Sequence, residues 1–260
     1  MNAVDVQVAQ RRGTLALAER EVRRVLSLWT QTILPPALTA LLFLAVFGGA
    51  LGERIRTIEG LPYLTFILPG LLVMTVAGPA FGNASTSLFQ AKNEGYLDDL
   101  LSSPLRGWQL ALAYVAGALV RSFGATALVA AAAAPFVNAT LDVPILLAAL
   151  FLTGLVFSAI GVITGVWAET FDQHSFVANI VITPLALVGG VFYSARTLDE
   201  PWSTLTRIDP LYYLVDATRA GVTGFHESPV WISLTVAALI AAASLALAAG
   251  LIERGWRLKP

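Results

Sequence analysis

The chain has 260 residues, of which 57% are apolar and only 13% charged, and its mean hydropathy is +0.73; soluble domains carry about 25% charged residues. This is the composition of a membrane protein. A net charge of -1 gives no basic field for nucleic acid, and the lack of cysteine excludes disulfides, thiol catalysis and thiolate metal sites.

The first apolar run begins only after the arginine-rich stretch 11–24, so no signal peptide is expected. Within that stretch Leu15, Ala18, Val22, Val25 and Trp29 repeat at helical spacing between Arg20, Glu21, Arg23 and Arg24. Such a helix either lies in the headgroup plane with its arginines at lipid phosphates, or is a polar extension of the first crossing. Pro35-Pro36 then starts or kinks the first membrane helix, because neither residue has a backbone N–H. Uncharged runs follow over 25–52, 60–91, 107–120, 122–141, 143–168, 175–195 and 228–252, and most reach the length of about 20 residues that a crossing needs. Arg121 divides one long run, so the pattern reads as six crossings. The first ends near Leu51, and the others cover about 63–88 (through Pro69 and Pro79), 110–136, 145–167, 176–193 and 231–251. The expected fold class is an all-α membrane protein, with a tail and amphipathic helix over 1–31, a six-helix domain over 32–251 and a C-terminal tail over 252–260.

One polar stretch, 92–104, interrupts the apolar runs. Leu97, Leu100 and Leu101 stand at i, i+3 and i+4 and share a helix face, while Glu94, Asp98 and Asp99 point elsewhere. Pro104 disfavours helical geometry at Ser103. The spacing predicts an amphipathic helix of about three turns over 92–103, too short to stand alone. With the N-terminus in the cytoplasm, that side holds eleven Lys and Arg and the other side five (Arg54, Arg56, Arg196, Arg207 and Arg219), so both termini and the polar stretch are expected there. The segment 194–228 either dips back as a broken re-entrant helix or lies on the surface, with Asp209-Pro210 as a turn at the head of its helix.

Several chemistries are missing. Both lysines, Lys92 and Lys259, lack the preceding glycine of a phosphate-binding loop. His226-Glu227 has Val230 where a zinc motif needs its second histidine, and GxSxG does not occur. No metal and no catalytic residue is expected, and His174 reads as a solvated turn residue. Among charges inside the crossings only Arg121 stands out; it either snorkels to the cytoplasmic interface or pairs with Glu169 or an acid of the polar stretch. Glycine pairs Gly48/Gly52, Gly78/Gly82 and Gly161/Gly165 keep the spacing that brings membrane helices close, within one subunit or between two.

As a whole the pattern resembles the permease subunits of ABC-2 type exporters, in the small bacterial subgroup that includes nodulation-factor and daunorubicin-type exporters. The likeness spans nearly the entire chain: the arginine-rich helix, Trp29 to Pro36 (WTQTILPP), Phe66 to Leu71 (FILPGL), Ala91-Lys92, Leu97 to Leu101 (LDDLL) with Ser103-Pro104, Thr183-Pro184, Gly189 to Ser194 (GGVFYS) and Asp209 to Tyr213 (DPLYY). The resemblance implies a bacterial inner membrane, two copies of the permease, and two separate ATPase subunits that bind the ATP and Mg. The polar stretch would be the coupling helix seated in the ATPase, with Glu94, Tyr96, Leu97, Asp98, Asp99, Leu100 and Leu101 at the contact, and the arginine-rich helix would be the connecting helix. The sequence departs from the family at Glu94-Gly95-Tyr96, where an acidic-glycine-threonine start is usual, and at Asp209, where asparagine is frequent. Crossings two and five would line the path across the dimer axis, and Phe81, Asn83, Ser85, Asn179, Ile182 and Thr183 offer the mixed aromatic, amide and hydroxyl groups that suit an amphipathic ligand. These side chains equally suit hydrogen bonds between helices. The function expected is a permease that exports an amphipathic or lipid-like molecule or drug by alternating access. A carrier or channel acting alone is the alternative, but no inverted repeat or intramembrane acid favours it.

Overall fold

The computed structural model describes residues 3–47, 57–137 and 139–258. The expected end of the first crossing near Leu51, Gly48, Gly52, Arg54, Arg56 and Lys259 lie outside the described residues. Apart from a short ladder, Thr57–Ile58 against Leu61–Pro62, the described elements are helical.

A long amphipathic helix, α1 (Ala3–Ser27), leads through one turn, α2 (Trp29–Thr32), into α3 (Leu34–Ala45) with a bend of 81°. The bend falls at Leu28, which leaves helical geometry (φ -111°, ψ 27°) between Ser27 and Trp29; Pro35 and Pro36 sit in the first turn of α3, where a residue has no helical acceptor for its N–H. α4 (Tyr63–Asn93), α6 (Gly107–Ala133), α7 (Val143–Trp167) and α12 (Val230–Glu253) are each long and apolar enough to cross a bilayer. The stretch 171–188 is another, so five spans are present and the bent pair makes up to six. The six-crossing expectation agrees with this.

α4 is the mast of the bundle, packed against α6 and α7. Its neighbours come close because of glycine: a Cβ on Gly161 of α7 would lie 2.5 Å from the Phe81 carbonyl oxygen, and one on Gly165 would lie 2.8 Å from that of Ser85. Gly78 and Gly82 of α4 have the same spacing but face open space, with nothing within 4 Å of an added Cβ. One glycine pair therefore packs helices within the subunit and the other does not.

The fifth span is broken. α8 (Phe171–Phe176) passes into a π-helical stretch, Val177–Ile182, and then α9 (Thr183–Val188). Pro184 cannot donate to the helical ladder, and the Thr183 N–H bonds to the Ala178 carbonyl, a step of five residues. The segment beyond is divided: 196–208 lies largely exposed, with only Ser203 and Thr206 of its helix buried, whereas the helix after it is enclosed. α10 (Trp202–Ile208) leads to α11 (Pro210–Thr223), whose residues from Leu211 to Val222 are almost all buried against α4, α7 and α12. Asp209 caps α11 as expected, its Oδ1 accepting from the Leu211 N–H at 2.8 Å.

Two of the quoted stretches meet here. Gly70, in Phe66 to Leu71, lets Val191 of the Gly189 to Ser194 turn approach to 2.7 Å of where its Cβ would be. Both chain ends described lie beside the polar stretch: Gln10 Nε2 donates to the Pro104 carbonyl at 2.8 Å, and the Gly107 N–H at the start of α6 donates to the Glu253 carboxylate at the end of α12.

Candidate functional site

The polar stretch forms a shorter helix than its spacing predicts. α4 continues to Asn93, the chain turns at Glu94 and Gly95 (φ +81°), and α5 spans only Leu97–Ser102. The long α4 is held at its end by Lys92, whose Nζ donates to the Val166 and Ala168 carbonyls, each at 3.2 Å. Gly95 takes the left-handed conformation that glycine adopts without strain, and so divides 92–103 in two. Ser103 is extended ahead of Pro104, as expected.

Leu97 is 2% exposed and lies among Leu17, Ala91, Leu110 and Leu258; Leu100 and Leu101 are half-buried against the same cluster. These leucines bind α5 to its own bundle, Leu97 with nearly all of its surface and Leu100 and Leu101 with part of theirs. Tyr96 is also half-buried, with the Arg20 guanidinium 5.0 Å above its ring. Left to solvent are Glu94 in the turn and Asp98, Asp99 and Ser102 of α5. A groove of about 590 Å³ beside them is lined by Lys92, Gly95, Asp98, Glu169, Arg257 and Leu258.

The arginines of α1 are not all turned to solvent. Glu21, 1% exposed, takes Arg20 Nη2 at 2.9 Å and Arg24 Nη2 at 3.0 Å, and accepts a hydrogen bond from Ser87 of α4. Its face of α1, Leu17, Glu21 and Val25, packs against α6, while Leu15 and Trp29 remain exposed. Glu21 thus ties α1, next to α5, to the end of α4.

The six residues proposed for a path do not share one cavity within the chain. Phe81, Asn83 and Ser85 are 3%, 2% and 0% exposed. Asn83 Oδ1 accepts from Arg24 at 3.4 Å, and Ser85 Oγ is 2.7 Å from His174 Nε2. Ile182 is in the core, whereas Asn179 and Thr183 are exposed. His174 is no solvated turn residue: it is buried, and stacks on Phe81 at 5.9 Å and Phe171 at 5.7 Å. Its helix α8, capped by the Thr170 side chain, folds back on α4 instead of extending into solvent. Arg121 pairs with neither Glu169, which is 3.7 Å from Arg257, nor an acid of the polar stretch. Its Nε donates to the Thr32 carbonyl at 2.9 Å.

Residues 12–223 match the model of the ABC-2 type transporter family. The chain belongs to this family. Among relatives, an inner membrane transport permease, YadH of Escherichia coli (strain K12), is 34% identical over 241 residues, covering 92% of this chain and 94% of its own. Nodulation protein J of Rhizobium meliloti (strain 1021) is 24% identical over 222 residues, 85% of this chain and 84% of that protein. Nodulation protein J of Rhizobium leguminosarum bv. trifolii is 25% identical over 187 residues, 71% of each. The protein is a multi-pass transport permease of the inner membrane, and the likeness that the quoted motifs suggested is borne out.

This ABC-2 permease also contains buried charges within 194–228, the segment expected to dip back as a re-entrant helix or to lie on the surface. Arg219 is 1% exposed; its Nη2 donates to the Gly190 carbonyl at 2.7 Å, its Nη1 lies 3.6 Å from Glu227 Oε1 and its guanidinium stacks 4.1 Å over Phe66. Asp216, 0% exposed, accepts from the Glu227 and Ser228 N–H groups and from Ser233 Oγ at 2.7, 3.1 and 3.0 Å. Gly190 presents its carbonyl to Arg219 because its φ is +74°. The signal that would have found the pair is its spacing: Asp216 and Arg219 stand at i and i+3 in a 14-residue, otherwise largely apolar helix. Burial raises the Asp209 carboxyl to about 6, against the single hydrogen bond from Leu211 that favours its charged form.

Proposed function

We propose that this permease is the membrane subunit of an ATP-driven exporter, working as two copies with two separate ATPase subunits that bind the ATP and Mg. Each ATPase docks on the exposed acids of this region, Glu94 in the turn before α5 and Asp98 and Asp99 on α5, with both chain termini on the cytoplasmic side. One observation carries this reading: α5 is fastened to its own bundle by Leu97 while its acidic residues stay exposed. A segment fixed in this way transmits displacement to α4 and α6 as a rigid lever, and its uncompensated acids complement a basic rim. The names of the relatives, a transport permease among them, agree with transport and leave the cargo open. The cargo proposed is an amphipathic molecule that enters from the bilayer, moved by alternating access.

The test is charge reversal on the exposed face. Asp98→Lys with Asp99→Lys should reduce at least tenfold the co-purification of a co-expressed ATP-binding-cassette ATPase subunit that the wild-type permease retains, while membrane insertion and thermal stability stay at wild-type level. If the double variant retains the full ATPase stoichiometry, docking on this face is wrong. Leu100→Asp and Leu101→Asp are poor probes, since both side chains pack on the subunit itself.

A further inference from the structure

The groove between α3 and α4 is apolar along its length and ends in a cation. Its volume is about 380 Å³, and its walls include Pro36, Thr39 and Phe43 of α3 and Leu71, Thr75 and Gly82 of α4, with Arg121 of α6 at one end. Pro36 to Phe43 covers about 10 Å of helix, the length of a good part of an acyl chain. None of the described residues comes within 4 Å of a Cβ placed on Gly78 or Gly82.

Among the described residues Arg121 has no counter-ion. Its Nε is satisfied by Thr32, but among the described residues no carboxylate lies within 4.0 Å of it, and the charge that acts on it is another cation, Arg24. Arg24 itself is neutralised by Glu21. A half-buried, unpaired guanidinium beside an apolar groove is costly unless an anion completes it. Guanidinium geometry suits a phosphate, which it can hold with two parallel hydrogen bonds.

The level of the cation is set by the elbow. Thr32 lies one turn past Leu28, where the chain bends by 81° between α1 and the helix that continues into α3, so if α3 runs across the bilayer, α1 runs nearly parallel to its surface and Thr32 sits just inside that surface. Arg121 then stands at headgroup depth and the groove at acyl-chain depth. We infer that this groove binds an anionic amphiphile from the inner leaflet, its phosphate on Arg121 and its chain along α3 and α4. The inference rests on the transport reading and deepens it, naming the cargo class as a phosphate-bearing lipid or lipid conjugate. A second copy of the permease is the competing occupant, but the groove wall it would bring carries the same cation and no acid.

The permease co-purified with its ATPase, in nanodiscs, would be photolabelled with phosphatidic acid carrying a diazirine on its acyl chain, and separately with phosphatidylcholine carrying the same chain. Labels should map to α3 and α4 around Phe43 and Thr75, at least fivefold more with phosphatidic acid. Millimolar inorganic phosphate should not compete, which separates a lipid from the free ion. Arg121→Gln should bring labelling down to the phosphatidylcholine level and Arg121→Lys should keep most of it. Because Arg121 also binds Thr32, Gly78→Leu supplies a second probe that fills the groove from a position with open space. Equal labelling by the two lipids, full labelling of Gly78→Leu, or cross-links from the groove to a second copy would each overturn the inference. The ATPase stoichiometry read on the same sample keeps the two ideas apart: its loss in the wild type sinks the transport reading, whereas failed labelling with stoichiometry intact sinks only the groove.

Discussion

The two ends of this permease bury carboxylates in opposite ways. At the α11 end, Asp216, Arg219 and Glu227 are all within about 2% of full burial, and the cation also meets a carbonyl and an aromatic face. At the α5 end Glu21 is as deeply buried, but its partners Arg20 and Arg24 keep 46% and 34% of their side chains exposed. A sealed cluster has no water to replace a lost partner, so it fixes one geometry; a half-open one tolerates rearrangement, which suits the end where a moving partner is proposed to act. The contrast breaks most clearly at Arg219. Arg219→Met should leave Glu227 buried without its cation and cost about 3–5 kcal/mol, read as a large fall in thermal stability in detergent. Restoring much of that loss with Glu227→Gln in the same chain would confirm that the orphaned charge is responsible.

The next effect is steric. Gly161 holds α7 against α4 beside the residues that lead to α5, and Gly161→Ala would place a Cβ 2.5 Å from the Phe81 carbonyl oxygen. Overpacking of this kind costs about 1–3 kcal/mol. Gly78→Ala, with nothing within 4 Å of the new methyl, should instead be neutral or gain up to about 1 kcal/mol from helix propensity. Equal thermal shifts for the two variants would contradict the distinction between the glycine pairs.

Much of the architecture was legible before the structure. The apolar runs located the spans, Pro104 located the end of α5 and Asp209-Pro210 the head of α11, because each rests on a local backbone restriction. What was missed depends on partners distant in sequence. His174 looked solvated because the residues that enclose it, Phe81, Ser85 and Phe89, come from another helix. Arg219 was counted with the outer-side cations because the helix headed by Asp209-Pro210 was expected to dip back or lie on the surface, and the α4, α7 and α12 faces that enclose it are distant in sequence. In α5, the spacing of Leu97, Leu100 and Leu101 showed a shared face, but what that face packs against is a tertiary fact.

A pH effect sharpens the sealed end further. The Asp209 carboxyl is raised to about 6 by burial, above its ordinary value of 3.8, and its Oδ2 has no hydrogen-bond partner. Between those two values the folded chain holds a proton that the unfolded chain has lost, so stability falls as pH rises through that window and the deficit is complete above 6. Asp209→Asn keeps an oxygen for the Leu211 N–H and removes the charge. It should therefore stabilise the protein by about 1–2 kcal/mol at pH 7 and have little effect near pH 4. Thermal midpoints measured across pH 4 to 7 would show the wild type and variant converging at acid pH; parallel curves would rule Asp209 out as the source.

The smallest effect belongs to the half-open end. Glu21→Gln keeps the shape and a hydrogen-bond acceptor for Ser87, and the two arginines it releases can turn toward water through the exposed parts of their side chains. The stability cost should be about 1 kcal/mol, well below that of Arg219→Met, because solvent screens a pair whose cations are already partly hydrated. Its mechanical effect is the more telling, since Glu21 joins α1 to α4 next to α5. If that joint carries motion, Glu21→Gln should leave ATPase docking intact while lowering the transport achieved per ATP hydrolysed in the reconstituted complex. A variant that loses as much thermal stability as Arg219→Met would show that both ends are sealed alike, and the division of the molecule into a fixed and a yielding end would fail.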